Sequence, residues 1–280
     1  MKRSGHAMAF SLWVNFVLGI LCLFPCVVMY VWGDLSGISA RGWLLVFIES
    51  VFMTLYIITL ALAYEAGDLS VVYPLSRGSA PLFLTIMAVS PWVNEKISLA
   101  GGLGIASLAA GVYFVNSTSI RLNDLLKPLR AIRSRASVLS LITGVNIAFY
   151  HIFGKLGTEE FSKGKGGILG AFEFITVTSV IVFLLLLVIC GAWSALRSSL
   201  VNDKVAFSDI IISAVLIGLA YFIVLYTLTL GNVSYIAPLR NFSVVISVIL
   251  GITVLKEPQG SPKLFASILI FIGILFIAFA

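Results

Sequence analysis

The sequence predicts an all-α, polytopic membrane protein made of two related helical bundles. Three observations carry that expectation: an apolar composition, a series of apolar runs of membrane-spanning length, and an internal repeat. The chain has 280 residues, of which 60% are hydrophobic and 11% charged, with a mean hydropathy of +1.11. A soluble domain carries about 25% charged residues and about 45–50% apolar ones. A water-soluble fold of the present composition could not cover its surface with polar groups. This excludes a soluble enzyme, a nucleic-acid-binding protein and a disordered chain. The net charge of +6 is therefore read as membrane topology.

A bilayer core about 30 Å thick calls for about 20 apolar residues in helical form. Nine runs meet the need: 8–32, 42–64, 69–92, 98–116, 137–155, 167–192, 206–230, 233–255 and 263–280. Met1, Lys2 and Arg3 make a charged start, but the run that follows is long and has no clear cleavage site, so a secretory signal peptide fits poorly. Short breaks with turn chemistry separate the runs: Gly33-Asp34, Glu65 to Asp68, Asn94 to Lys96, and Lys256 to Pro258. Only 117–136 and 193–205 are longer. The first of these carries Arg121, Lys127, Arg130, Arg133 and Arg135 and is the main linker. Cys22, Cys26 and Cys190 lie in apolar runs and read as small hydrophobes. With His6 and His151 as the only histidines, no metal or other cofactor is expected.

The repeat lies on either side of the linker. Residues 67–75 read Gly-Asp-Leu-Ser-Val-Val-Tyr-Pro-Leu, and residues 231–239 read Gly-Asn-Val-Ser-Tyr-Ile-Ala-Pro-Leu. Glycine, serine, proline and leucine recur at one offset of 164 residues, which Ser79 and Ser243 also keep. A two-residue gap then aligns Glu95 with Glu257 and Gly111 with Gly273. Tyr56 and Tyr221 precede the two motifs at nearly equal distance. The expected division is a first repeat over 1–116, the basic linker over 117–136, and a second repeat over 137–280. Pro74 and Pro238 are expected to kink their helices, because proline cannot donate its backbone hydrogen bond. Duplicated bundles of this kind are common in membrane transporters, with the substrate site between the repeats.

These motifs resemble the drug/metabolite transporter superfamily, and within it the EamA-like family. Residues 61–82 are similar to that family's third-to-fourth helix signature, 143–150 to its sixth helix, and 234–257, ending Val-Leu-Lys-Glu, to its ninth. The resemblance covers essentially the whole chain. It implies ten helices in two inverted halves and transport of small metabolites, with no particular substrate. Four helices precede the linker here and five follow it. Helix 137–155 has no counterpart in the first half, so the first of the ten helices is expected to be missing, through a truncated start or in a genuine nine-span chain. Two departures remove negative charge: Asn241 stands where the ninth-helix pattern usually has an acid after the arginine, and Gly154 where the sixth often has an acid before lysine.

Charge inside a membrane needs an explanation, since it costs at least about 2.5–3.5 kcal/mol on insertion scales. Glu49, Arg77, Glu173 and Arg240 qualify. Arg77 and Arg240 follow the two motif prolines and are candidates for an anion-attracting pair at the substrate site. The alternative is that each pairs with Glu49 or Glu173, or with a carbonyl, for structure alone. Glu49 is mid-span and is the proton-coupling candidate, a carboxyl placed to release and rebind protons, with a structural ion pair as the alternative. Glu173 lies nearer a span end and is expected to snorkel towards the interface. Tyr73, Tyr150, Tyr221 and Tyr235 offer an apolar face with a hydroxyl and, with Asn241, complete the candidate substrate-binding set. His151 reads as a hydrogen-bonded packing residue. Gly104, Gly111 and their neighbouring alanines suit close helix packing.

Basic residues divide eleven against five between the two faces, with the N-terminal face the more basic. The positive-inside rule then places the C-terminus outside, whereas the resemblance implies the opposite. The function expected is secondary transport of a small metabolite by alternating access, with proton coupling at Glu49. A non-transporting scaffold is the alternative, and a lipid-modifying enzyme a more distant one. No catalytic constellation is present. The partners are a small-molecule metabolite and the lipid bilayer, without nucleic acid, and a homodimer stays open. The location is the bacterial or archaeal plasma membrane.

Overall fold

The computed structural model describes residues 4–32, 35, 37–67, 69–90, 94, 96–114, 134–192, 207–239 and 260–279. Every regular element among them is a helix: α1 (Ser4–Val31), α2 (Ala40–Ala66), α3 (Leu69–Ala88), α4 (Leu99–Phe114), α5 (Arg135–Ser162), α6 (Gly167–Ala192), α7 (Phe207–Leu228), α8 (Val233–Leu239) and α9 (Gly260–Ala278). Five of these, α1, α2, α5, α6 and α7, contain stretches long and apolar enough to cross a membrane, and α4 and α9 hold shorter apolar ones. The chain is thus an integral, multi-pass membrane protein. Most of the linker, the end of the 233–255 run, Asp68, Glu95 and Glu257 lie outside the described residues.

The chain divides into two compact units that each draw on both sides of the linker. The first comprises residues 1–61 and 149–231, the second 62–148 and 232–280. The boundaries fall inside α2 and α5.

In the first unit α1 packs on α6 and α7. Gly19 allows the approach to α6, because a side chain there would collide with Phe183. Phe16 meets the Phe183 ring edge-on at 5.7 Å. Val14 of α1 is buried with Ile210 and Ala214 of α7. Helix α5 continues to Ser162, beyond the apolar run that ends at residue 155. Two features extend it. Thr158 and Ser162 return their hydroxyls to the carbonyls of Gly154 and Thr158, and Phe161 packs edge-on against Phe174 at 5.3 Å. Its charged end is neutralised at the surface, where Glu160 accepts from Ser39 at 3.0 Å and faces Lys163 at 2.8 Å and Arg41 at 3.7 Å. His151 consequently falls mid-helix, where it is buried and stacks on Tyr150 at 4.3 Å.

The turn from α5 to α6 uses two glycines with left-handed backbone, Gly164 (φ 75°) and Gly166 (φ 90°). It delivers Lys165 to Glu173, whose two carboxylate oxygens lie 3.1 and 3.2 Å from Nζ. This corrects the expectation for Glu173: the side chain is 0% exposed and does not snorkel. It stays inside because the turn carries a cation back over it.

In the second unit α9 lies antiparallel along α4. Gly104 of α4 approaches Gly273 and Ile277, Ser107 donates to the Leu269 carbonyl at 2.8 Å, and Gly111 approaches Ile270 and Ala266. The contact is reciprocal in the register that aligns Gly111 with Gly273. A methyl on Gly111 would sit 2.8 Å from both Ala266 O and Ile270 N. A methyl on Gly273 would sit 2.7 Å from Gly104 O and 2.8 Å from Leu108 N. Gly104 and Leu108 are the repeat counterparts of Ala266 and Ile270, so the interface is self-complementary. Ile105, Leu108, Ala266, Ile270 and Ile277 form its buried core. The motif helices also start in register: Pro74 is sixth in α3 and Pro238 sixth in α8.

Two predictions follow from these contacts. Gly273→Ala should lower stability by about 1–3 kcal/mol through overpacking against backbone, read as the unfolding midpoint in detergent. Lys165→Met should cost about 3–5 kcal/mol by taking the cation away from a buried carboxylate, while Lys165→Met combined with Glu173→Met should recover most of it.

Candidate functional site

The sharpest polar feature in the apolar interior is built around Glu49 in the first unit. Glu49 lies in the third turn of α2 and is 0% exposed. Helical spacing puts Phe52, Met53 and Tyr56 on its side of the helix. Its neighbour Ser50 and the following Thr54 satisfy themselves locally by donating to the carbonyls of Val46 and Ser50. A carboxylate has no such local option, because it only accepts. Its partners come from two other helices. Tyr221 of α7 donates to Oε1 at 2.6 Å and Thr178 of α6 donates to Oε2 at 2.9 Å. The Tyr221 bond has the length of a charge-assisted bond from hydroxyl to carboxylate, and the Thr178 bond is longer.

Thr178 departs from the habit of its own helix. Thr176, two residues earlier, returns its hydroxyl to the Phe172 carbonyl. Thr178 directs its hydroxyl at Glu49 instead, so α6 is committed to the carboxyl. The fourth wall is α5, which meets the cluster at Gly154. A methyl there would lie 3.5 Å from Tyr221 Oη, 3.8 Å from Glu49 Cγ and 3.3 Å from Leu225 Cδ2. An acid at this position, as the related pattern often has, would put a second carboxyl beside the first. Gly154 leaves Glu49 to its two hydroxyls.

Aromatic rings surround the group. Tyr150 is buried, and its ring lies 6.1 Å from Tyr221 and 5.5 Å from Tyr56. Phe52 stacks on Phe149 at 4.4 Å, and Phe153 continues the stack. The site is therefore a buried acid held by two hydroxyls in a shell of phenols and phenyl rings. No group of three or more potential metal ligands occurs among the described residues.

Of the residues expected from sequence, Glu49, Tyr150 and Tyr221 come together here. Tyr235 belongs to the second unit, where its hydroxyl accepts from the Ser98 backbone N–H at 3.2 Å and its ring covers Gly101. That is a position at the start of α4, well suited to packing. Arg77 is half-buried on α3 in the second unit. Tyr73 and Pro74 lie in α3 and Pro238 in α8. Arg240 and Asn241 lie outside the described residues. Sequence reading missed Thr178 and Lys165. The only trace of Thr178 is a run of hydroxyl residues, Thr176, Thr178 and Ser179, in an otherwise apolar span.

A crystal structure of a protein superposes with a TM-score of 0.64 at 12% identity, over 98% of this chain and 87% of that one, which is a likeness of fold. An uncharacterized protein of Methanocaldococcus jannaschii is 30% identical over 107 residues, covering 38% of this chain and 75% of that protein. Residues 134–279, which begin beside α5 and run through α9, match the EamA-like transporter family. The chain belongs to the EamA-like transporter family, in the drug/metabolite transporter superfamily that its motifs resemble.

Proposed function

We propose that the chain is a secondary transporter that moves a small metabolite across a bacterial or archaeal plasma membrane by alternating access, with proton coupling at Glu49. The observation that carries the coupling is the carboxyl itself, fully buried in a membrane-spanning helix and held by two hydroxyls. As a carboxylate, Glu49 accepts from both Tyr221 and Thr178. Once protonated, one of its oxygens becomes a donor, so one hydroxyl has to turn its proton away or let go. Proton load therefore changes how α2 is tied to α6 and α7. That is the kind of local switch a helix movement needs.

The antiparallel, self-complementary contact of α4 with α9 supports two halves related by a two-fold axis across the helices, as in inverted-repeat transporters. Under this reading Arg77 and Arg240, with Tyr73, Tyr150, Tyr221, Tyr235 and Asn241, contribute to the substrate route. Pro74 and Pro238, each sixth in its helix, free a backbone carbonyl one turn back. Carbonyls freed in this way can supply polar groups at the midplane of transporters.

The test is reconstitution in proteoliposomes with a mixture of radiolabelled amino acids, sugars and organic anions. Wild-type protein should show counterflow and should accumulate label when a pH gradient is imposed. Glu49→Gln should keep counterflow and lose the gradient-driven accumulation. Absence of counterflow for every class in the wild type would overturn the transport reading. Unchanged gradient-driven accumulation in Glu49→Gln would overturn the coupling. Arg77→Ala should abolish counterflow while the protein remains folded by thermal unfolding.

A further inference from the structure

Beside the Glu49 cluster, and lined by both of its hydroxyl donors, lies a cavity of about 20 Å³. Asn15 of α1, Thr178 and Ser179 of α6, and Tyr221 of α7 supply its polar lining, and Val182 part of its apolar wall. One water needs roughly 10–15 Å³ of such space and two to four polar partners, so the cavity fits one water and little else. Two of its polar groups, Tyr221 and Thr178, are the hydroxyls that donate to the carboxyl. Their protons point at Glu49, and a hydroxyl oxygen also accepts, so a water seated in the cavity would meet both as a donor.

We infer that this cavity is a water site and that Tyr221 relays protons between that water and Glu49, an inference that rests on the proton-coupled reading above. The hydroxyl at 2.6 Å is the shorter of the two bonds, and a phenol gives up its proton more readily than an aliphatic alcohol. In the loading step a proton arriving from the aqueous phase as hydronium reaches the seated water. The water passes a proton to Tyr221 Oη as the existing Tyr221 proton moves to Glu49 Oε1. One Oη–H bond forms as another breaks, the phenol is regenerated, and the carboxylate becomes a carboxylic acid. Release runs the same steps backwards. Thr178 holds the other oxygen and fixes the carboxyl plane.

The titratable neighbours can be named helix by helix. Tyr56 follows Glu49 on α2. Tyr150 and His151 lie on α5, with Tyr150 against the Tyr221 ring. On α6 the Glu173 carboxylate is occupied by Lys165. On α1 the Cys22 thiol bonds Ser179 at the cavity side. A cation is not among these partners of Glu49, so the relay moves a proton onto a carboxylate held by hydroxyls.

The relay is testable without any transported substrate, using the proton itself as probe. Reconstituted protein is taken through a pH jump while the carboxylic C=O stretch is followed by infrared difference spectroscopy. The band belonging to Glu49 is the one lost in Glu49→Gln. Tyr221→Phe should slow its appearance by about 10²-fold, the usual contribution of a positioned proton-transfer group. Val182→Phe keeps both hydroxyl bonds and fills the cavity, and should slow it by a similar factor. Val182→Leu is the milder filling where the phenylalanine variant does not fold. A wild-type rate in Tyr221→Phe overturns the relay, and a wild-type rate in both folded Val182 variants overturns the water site. A Glu49→Gln protein that still accumulates label under a pH gradient sinks the functional reading instead, and leaves the infrared result standing on its own.

Discussion

In hydrocarbon, every backbone N–H and C=O has to find its partner inside the protein. Helices meet that constraint, and the polar side chains here are arranged so as not to disturb it. Ser50, Thr54, Ser76, Ser140, Thr143, Thr158 and Thr176 all fold their hydroxyls back onto carbonyls of their own helices. Close approach of helices is left to glycine, at Gly19 against Phe183 and at Gly104 against Gly273. With so many hydroxyls satisfied locally, a hydroxyl directed at another helix stands out, and Thr178 and Tyr221 are two that reach Glu49.

The two buried acids of α2 and α6 are settled by different means. Glu173 is neutralised by Lys165 from an adjoining turn, a short-range pair between residues eight apart. Glu49 is held by hydroxyls from helices far along the chain, 129 and 172 residues away. The same residue type is thus buried against a cation in one place and against two hydroxyls in the other.

Glycine at 154 belongs to the same logic. With it, α5 lies against the Glu49 cluster without adding a second titratable group there. The aromatic rings of Tyr56, Tyr150 and Tyr221 then close the space around it. On the proposed reading, a single acid keeps proton coupling free of the merged titration that two interacting acids would show.

The sequence alone determined the helical, membrane-embedded class. Hydropathy over about 20 residues is a local property, set by the thickness of the bilayer. It also showed the motif pair at 67–75 and 231–239, because identity at constant spacing needs no structure to be seen. It marked Glu49, because a lone acid in a long apolar run is conspicuous wherever its partners lie. The length of α5 and the burial of Glu173 were not legible, since both depend on contacts made after the chain turns at Gly164 and Gly166. Tyr235 looked the same as Tyr221 in sequence. Only tertiary structure separated them, placing one hydroxyl on a carboxylate and the other on a backbone N–H at the start of α4. What a hydroxyl does in an apolar interior depends on which acceptor lies within 3 Å or so, and that distance is set by packing between helices distant in sequence.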